Sequence, residues 1–123
     1  MAKRIVIADD EEGITELLAM RLADEGYECL VARDGAAAWE LVRAASPALV
    51  LLDIRMPGLT GWEIAQRITG DPSTRHIPFV FLTAADQVAE ARHGMALGAA
   101  RFVVKPFRLP VIVDLVAELA GDP

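Results

Sequence analysis

The sequence has few of the residues that indicate a disulfide, zinc or membrane protein. Its 123 residues contain one cysteine, Cys29, so no internal disulfide can form. The two histidines, His76 and His93, have no cysteine or glutamate at ligand spacing, which argues against a zinc motif. No apolar run approaches the ~20 residues of a membrane span, and residues 1–4 lead into a strand without a signal-peptide region. We therefore expect a cytoplasmic protein without a membrane partner.

Basic residues are also in the minority. The formal net charge is −6, whereas a general nucleic-acid surface needs a basic stripe, so we expect no direct binding of nucleic acid. Hydrophobic residues make up 54% of the sequence, which suits a sheet covered on both faces. The length predicts a single domain over residues 1–123.

Strand-like and helix-like patterns alternate five times along the chain. The strand-like segments are short and apolar, and they fall at residues 4–8, 27–32, 48–52, 79–82 and 102–104. Helices are predicted at residues 12–25, after Asp34, after Thr60, at residues 85–97 and at residues 109–120. Five βα units of this kind predict an α/β fold, an open and doubly wound parallel sheet with helices on both faces.

Several helix ends carry capping signals. Asp34 can cap the second helix, and Thr60 with Glu63 has the spacing of a capping box. Gly26 is suited to end the first helix. The apolar residues that repeat at helical spacing in that first helix are Ile14, Leu17, Leu18 and Leu22.

Polar residues follow the predicted strands. They are Asp9 and Asp10 after the first strand, Asp53 after the third, Thr83 after the fourth and Lys105 after the fifth. The carboxyl ends of parallel strands lie at one edge of the sheet, where ligands gather. Each residue alone has an ordinary explanation, such as helix capping for the acidic pair. Their coincidence at one edge predicts a binding site.

The residue types at this edge indicate phosphoryl chemistry. Three crowded carboxylates repel one another, and a hard cation such as Mg²⁺ relieves that repulsion. The cation also screens Asp53, so that its oxygen can attack an electrophilic phosphorus. Lys105 offers a compact positive charge, and Thr83 offers a hydroxyl that can reorient toward a phosphate oxygen. The expected product is an acyl phosphate on Asp53.

The segments that carry these residues resemble the receiver domain of bacterial two-component response regulators. They are residues 7–11, 52–58, 83–84 and 104–107. The signature positions occur in order and at family-like spacing, and the resemblance covers the whole chain. It implies a flavodoxin-like sheet of five strands in the order 2-1-3-4-5. It also implies a signalling phosphoacceptor rather than an enzyme, with only self-phosphorylation from small donors and slow self-dephosphorylation.

The resemblance assigns roles to individual residues. The implied ligands of Mg²⁺ are Asp9, Asp10, Asp53 and the backbone carbonyl of Arg55. Asp53 is the implied phosphoacceptor. The implied phosphate-binding or switch residues are Thr83, Ala84, Phe102 and Lys105. A cis peptide bond is implied before Pro106. For Phe102, an ordinary core position and a mobile switch both stay open.

The resemblance also implies partners. The phosphoryl donor would be a sensor histidine kinase or a histidine phosphotransfer protein. Residues 85–120, which comprise the fourth helix, the fifth strand and the fifth helix, would control an output domain or an effector protein, and a homodimer is possible. The chain fits either a stand-alone regulator or a piece of a longer one.

Other functions on a similar sheet fit less well. A phosphatase with an Asp nucleophile needs a second acid at position 55, which is Arg. A flavin module needs a neutral phosphate loop where residues 9–12 are all acidic. A phosphorylation-independent docking module remains the alternative, although such a module would normally have lost part of the site. The resemblance also implies that the residue two past Thr83 flanks the phosphoryl group and modulates the attack of water on it. Here that residue is Ala85, which cannot hold a water by hydrogen bonding, so we predict slow self-dephosphorylation.

Overall fold

The computed structural model describes residues 2–123, and their strands form one sheet. The strands are β1 (Arg4–Ala8), β2 (Glu28–Ala32), β3 (Leu49–Asp53), β4 (Phe79–Thr83) and β5 (Arg101–Val104). All neighbouring strands are parallel and follow the order β2-β1-β3-β4-β5, which confirms the predicted flavodoxin-like topology. The α-helices are α1 (Glu12–Asp24), α2 (Gly35–Ala45), α3 (Gly61–Gly70), α4 (Val88–Ala96) and α5 (Leu109–Ala120).

The core consists of two apolar layers, one on each face of the sheet. Alternate strand residues point to opposite faces, so neighbours such as Leu51 and Leu52 belong to different layers. One layer packs against α2, α3 and α4, and the other packs against α1 and α5. β3 and β4 are buried throughout because they lie inside the sheet and are covered on both faces.

The strand register aligns the polar residues at one edge. Asp53 is the last residue of β3 and pairs with Leu82 of β4, while Thr83, the last residue of β4, pairs with Val104. The backbone N–H of Lys105 donates to the Thr83 carbonyl at 2.7 Å. These pairings bring the carboxyl ends of β3, β4 and β5 to one level.

The predicted caps are present. The Ala37 N–H donates to Asp34 Oδ1 at 2.8 Å. The Glu63 N–H donates to Thr60 Oγ1 and the Thr60 N–H donates to Glu63 Oε1, each at 3.2 Å, which completes the capping box. Gly26 follows α1 with a φ of +105°, a conformation that glycine adopts without a steric penalty.

Two local features differ from the sequence pattern. Leu17 shares the helical spacing of its apolar neighbours but is 51% exposed, and Thr15 is buried on α1 instead, with its hydroxyl donating to the Glu12 carbonyl. The helix predicted at residues 85–97 is not continuous, because Ala85–Gln87 forms a 3-10 turn before α4 begins. Among residues 2–123, no helix is both long and apolar enough to cross a membrane.

Candidate metal and phosphoryl site

Three carboxylates meet at the carboxyl edge of the sheet. Asp9 and Asp10 follow β1, and Asp53 ends β3. One carboxylate oxygen from each lies within 4.8 Å of the others. Asp9 is completely buried and Asp53 is only 5% exposed, whereas Asp10 faces solvent. The site therefore has two carboxylates inside the protein and one at its entrance.

Lys105 is the cation that faces these acids. Its Nζ donates to Asp9 Oδ2 at 2.8 Å and to Glu11 Oε1 at 3.0 Å. The same nitrogen lies 3.6 Å from Asp53 Oδ2. Asp9 Oδ1 accepts the Glu11 N–H at 2.9 Å, so both oxygens of this buried carboxylate are bonded. The peptide bond between Lys105 and Pro106 is cis.

Burial and charge crowding change the proton affinity of the site. Burial, followed by repulsion from Asp9, raises the pKa of Asp53 to about 7, although Lys105 and the Arg55 backbone N–H act in the opposite direction. Burial alone would lower the pKa of Lys105, but its hydrogen bonds to Asp9 and Glu11 raise the pKa overall. One ammonium therefore offsets the repulsion at Asp53 only in part.

The end of β4 supplies two hydrogen-bond donors. The Thr83 hydroxyl is buried and donates to the Ala84 carbonyl at 3.2 Å. The Ala84 N–H donates to Gln87 Oε1 at 3.3 Å. Thr83 ends β4, and Ala84 immediately precedes the 3-10 turn Ala85–Gln87 that leads to α4. Both donors are bonded to acceptors on Ala84 and Gln87, so an anion at Asp53 could replace those local acceptors.

A small pocket of about 280 Å³ opens onto the carboxylates. Its lining residues are Asp10, Glu11, Asp53, Arg55, Ala84, Gln87 and Lys105. The pocket thus combines carboxylate oxygens, which a hard cation prefers, with donors that suit an anion. In the part of the chain that the structure describes, these acids are the only group of three or more His, Cys, Asp or Glu side chains close enough to share a metal ion.

The side chains of two predicted site residues, Arg55 and Phe102, contact residues other than the three aspartates and Lys105. The Arg55 side chain is exposed and its Nη2 lies 3.0 Å from Glu90 Oε1 on α4. Phe102 on β5 is half-buried and packs against the core layer of α2, α3 and α4. That packing fits the interpretation of Phe102 as a core residue.

Sequence reasoning missed three contributors to this region. Glu11 shares Lys105 with the aspartates, Glu90 pairs with Arg55, and Gln87 is buried in the pocket wall. Glu11 could have been found, because it extends the acidic run after β1. Gln87 and Glu90 carried no such signal, since only the path of the chain after β4 brings them to the site.

Comparison with known proteins decides the family. The family model described as the response regulator receiver domain matches residues 5–117. The chain belongs to this family. Receiver domains are signalling phosphoacceptors rather than conventional enzymes, and they normally bind Mg²⁺ in an acidic pocket. The three clustered aspartates of this receiver domain provide such a pocket.

The receiver domain is similar to parts of several longer regulators. It is 39% identical over 106 residues to the response regulator PleD of Caulobacter vibrioides, covering 86% of this chain and 23% of PleD. It is 38% identical over 107 residues to the phosphate regulon transcriptional regulatory protein PhoB of Pseudomonas aeruginosa, covering 87% of this chain and 47% of PhoB. The chain therefore spans about a quarter to a half of the length of these relatives.

Solved structures give the same family. The receiver domain of NtrX from Brucella abortus is 33% identical, with a TM-score of 0.86, and the match covers 95% of this chain and 97% of that one. The chemotaxis response regulator CheY4 of Vibrio cholerae is 25% identical, with a TM-score of 0.88 and coverage of 97% and 99%.

Proposed function

We propose that Asp53 accepts a phosphoryl group from the phosphohistidine of a sensor histidine kinase or a histidine phosphotransfer protein. The observation that carries the proposal is the position of Asp53. It is a buried carboxylate at a strand end, within 4.8 Å of two other aspartates and 3.6 Å from Lys105. Such a group is poorly placed to stabilise a core but well placed to react.

Mg²⁺ would be held by Asp9, Asp10, Asp53 and the Arg55 backbone carbonyl. The carboxylate oxygens are close enough to share one cation, and oxygen is the donor that Mg²⁺ prefers. When bound, the cation would neutralise charge on the acids and on the transferred group. Asp9 has both oxygens engaged by Lys105 and Glu11, which favours a contact through water.

The transfer itself would be a displacement at phosphorus. An Asp53 carboxylate oxygen forms a bond to phosphorus while the bond from phosphorus to the donor's imidazole nitrogen breaks. The imidazole leaves as a neutral ring after taking up a proton, and the product is an acyl phosphate. Lys105 Nζ already lies 3.6 Å from Asp53 Oδ2, so it can stay in contact with the new phosphoryl group.

The residues at the end of β4 would form hydrogen bonds with the new phosphoryl group. A phosphoryl group adds about −1.5 to −2 charges and three acceptor oxygens. The Thr83 hydroxyl and the Ala84 N–H would turn from their local acceptors to these oxygens. Phe102 would move inward to a small extent, and the surface of residues 85–120 would pass the change to an output domain, an effector protein or a second copy of the chain.

Intact mass after incubation with acetyl phosphate and Mg²⁺ tests the acceptor. We expect the wild-type protein to gain one phosphoryl group and Asp53→Asn to gain none. Asp114→Asn is a matched control, because Asp114 is exposed on α5 away from the site, and it should behave as wild type. An unmodified wild type would leave the phosphorylation-independent docking module as the better account, and a modified Asp53→Asn would place the acceptor elsewhere.

The phosphoryl group on Asp53 should be long-lived. Ala85, at the start of the 3-10 turn, has no side-chain group that can position a water for attack on phosphorus. We expect the phosphorylated protein to persist for minutes or longer in Mg²⁺ buffer after the donor is removed, and Ala85→Asn to shorten that lifetime. Intact mass measured over time gives the lifetime. Loss of the phosphoryl group from the wild type within seconds would contradict this expectation.

A further inference from the structure

Gln87 is a buried polar side chain that lines the acidic pocket and has no role in the transfer described above. It is 6% exposed and is the last residue of the 3-10 turn between β4 and α4. A buried carboxamide is unfavourable unless its polar atoms are hydrogen-bonded. The contacts of Gln87 therefore indicate why this residue type occurs at the pocket wall.

The Gln87 side chain is hydrogen-bonded to the backbone of Ala84. Its Oε1 accepts the Ala84 backbone N–H at 3.3 Å, and the backbone N–H of Gln87 donates to the Ala84 carbonyl at 2.9 Å. The same carbonyl accepts the Thr83 hydroxyl at 3.2 Å. Both donors assigned above to the phosphoryl group, the Thr83 hydroxyl and the Ala84 N–H, are thus occupied inside one turn.

Resting on the proposed function, we propose that the Gln87 carboxamide competes with the phosphoryl group for the Ala84 N–H, and so sets how tightly the site holds that group. An N–H has a single hydrogen, so it cannot donate at full strength to both acceptors. A phosphoryl oxygen is charged, and a charge-assisted hydrogen bond is about twice as strong as a neutral one. The phosphoryl group on Asp53 therefore displaces Gln87.

This competition also connects the site to α4. Gln87 immediately precedes Val88, the first residue of α4. When Gln87 releases the Ala84 N–H, the turn loses its side-chain hydrogen bond and keeps the backbone bond from the Gln87 N–H to the Ala84 carbonyl. The beginning of α4 is then held by one hydrogen bond fewer, so its position can respond to the occupancy of Asp53.

A competing role and a purely structural role predict opposite results for one substitution. Gln87→Met keeps the length of the side chain and removes the acceptor, so competition predicts tighter binding of a phosphoryl group. A structural role predicts weaker binding, because the turn would lose order. Gln87→Glu keeps an acceptor, strengthens it with a charge and adds repulsion in the pocket, so competition predicts weaker binding.

Calorimetric titration of the full chain with beryllium trifluoride in Mg²⁺ buffer measures these effects, since this compound mimics a phosphoryl group on a carboxylate. The loss of one competing hydrogen bond should make Gln87→Met bind about five-fold more tightly than wild type. Gln87→Glu should bind more weakly than wild type. Gln66→Met, an exposed glutamine on α3, is the matched control and should bind as wild type.

Hydrogen exchange at the Ala84 amide gives an independent readout. Exchange should be faster in Gln87→Met than in wild type without ligand, because the acceptor has been removed. Equal exchange rates, or equal or weaker binding by Gln87→Met, would overturn the proposal. If Gln87→Met melts far below wild type, its binding is not informative, and the Gln87→Glu variant is used instead. Binding of beryllium trifluoride by Gln87→Glu as tightly as by wild type would overturn the proposal. A wild type that binds no beryllium trifluoride would instead count against the proposed function.

Discussion

The two ends of the sheet hold charge in different ways. At the carboxyl end, Asp9 and Asp53 are buried, and Lys105 is only 13% exposed. At the amino end, Arg4 and Glu28 form an ion pair whose side chains are 46% and 50% exposed. Water screens the exposed pair, whereas burial, followed by repulsion from Asp9, raises the pKa of Asp53 to about 7. Of these two ends, the carboxyl end is therefore the one with unfavourable repulsion between buried carboxylates, which a bound cation can relieve.

The larger cleft of the two lies at the amino end of the sheet, not at the carboxyl end where the carboxylates are crowded. A groove of about 700 Å³ lies at the amino end, bordered by residues such as Lys3, Ser46 and His76, and it is larger than the acidic pocket. Its cations already have partners, since Lys3 Nζ donates to the Ala120 carbonyl at 2.6 Å and Arg4 pairs with Glu28. The chemistry of the lining residues, rather than the volume, identifies the functional site.

The largest difference between the two ends should appear when a lysine is removed. Lys105→Met leaves the buried Asp9 without its cation, and we expect the free energy of unfolding at pH 7 to fall by about 2–4 kcal/mol. Lys3→Met, at the exposed end, should change it by less than about 0.5 kcal/mol. Urea denaturation without Mg²⁺ measures both values, and similar losses for the two variants would show that the ends do not differ.

Removal of the Asp53 charge should raise the free energy of unfolding, whereas Lys105→Met lowers it. Because the folded state raises the pKa of Asp53 from 3.8 to about 7, its contribution to stability is complete below pH 3.8 and is lost as the pH rises through 7. In Mg²⁺-free buffer at pH 8, we expect Asp53→Asn to be more stable than wild type by about 1–3 kcal/mol.

The pH dependence provides the control for this prediction. The gain from Asp53→Asn should shrink steadily as the pH is lowered from 8 to 4, while Asp114→Asn should show no comparable trend. Thermal or urea denaturation across this range would measure it. A gain that is constant with pH would mean that the carboxylate is not strained in the folded protein.

The backbone below Asp53 should be sensitive to added volume. Gly61, the first residue of α3, packs so closely that a Cβ there would overlap the Asp53 carbonyl oxygen. We expect Gly61→Ala to lower the free energy of unfolding by about 1–2 kcal/mol and to slow phosphorylation by acetyl phosphate. Gly70→Ala, in open space at the other end of α3, should not destabilise the protein. Equal effects of both substitutions would contradict the close packing.

The smallest effect should come from the exposed ion pair. Glu28→Gln removes the partner of Arg4, and we expect the free energy of unfolding to change by less than about 0.5 kcal/mol. The rate of phosphorylation should stay within two-fold of wild type, because the pair lies at the opposite end of the sheet from Asp53. A large effect on either quantity would mean that charge at the amino end is coupled to the site.

Much of the fold could be predicted from the sequence. Apolar strand segments, the caps at Asp34 and Thr60, and the glycine after α1 are local signals, and the structure confirms them. The strand order came from the family resemblance rather than from periodicity. The proximity of Asp9, Asp10 and Asp53 followed from the rule that parallel strands end at a common edge.

The remaining features depend on packing that no local pattern encodes. The stack of Trp62 on His93, with ring centroids 4.5 Å apart, joins α3 to α4 and needs both helices in place. The burial of Gln87 follows from the 3-10 turn, which replaced the first turn of the predicted helix. Leu17 had the right spacing for the core, but it is 51% exposed on α1.

The metal dependence of phosphorylation tests the central claim most directly. Intact mass is followed over time with acetyl phosphate, once with Mg²⁺ and once after chelation of divalent cations. The account predicts that one phosphoryl group appears on Asp53 with Mg²⁺ and that incorporation nearly stops without it, because the crowded carboxylates then repel the incoming phosphate. Incorporation at the same rate under both conditions, or none under either, would contradict it.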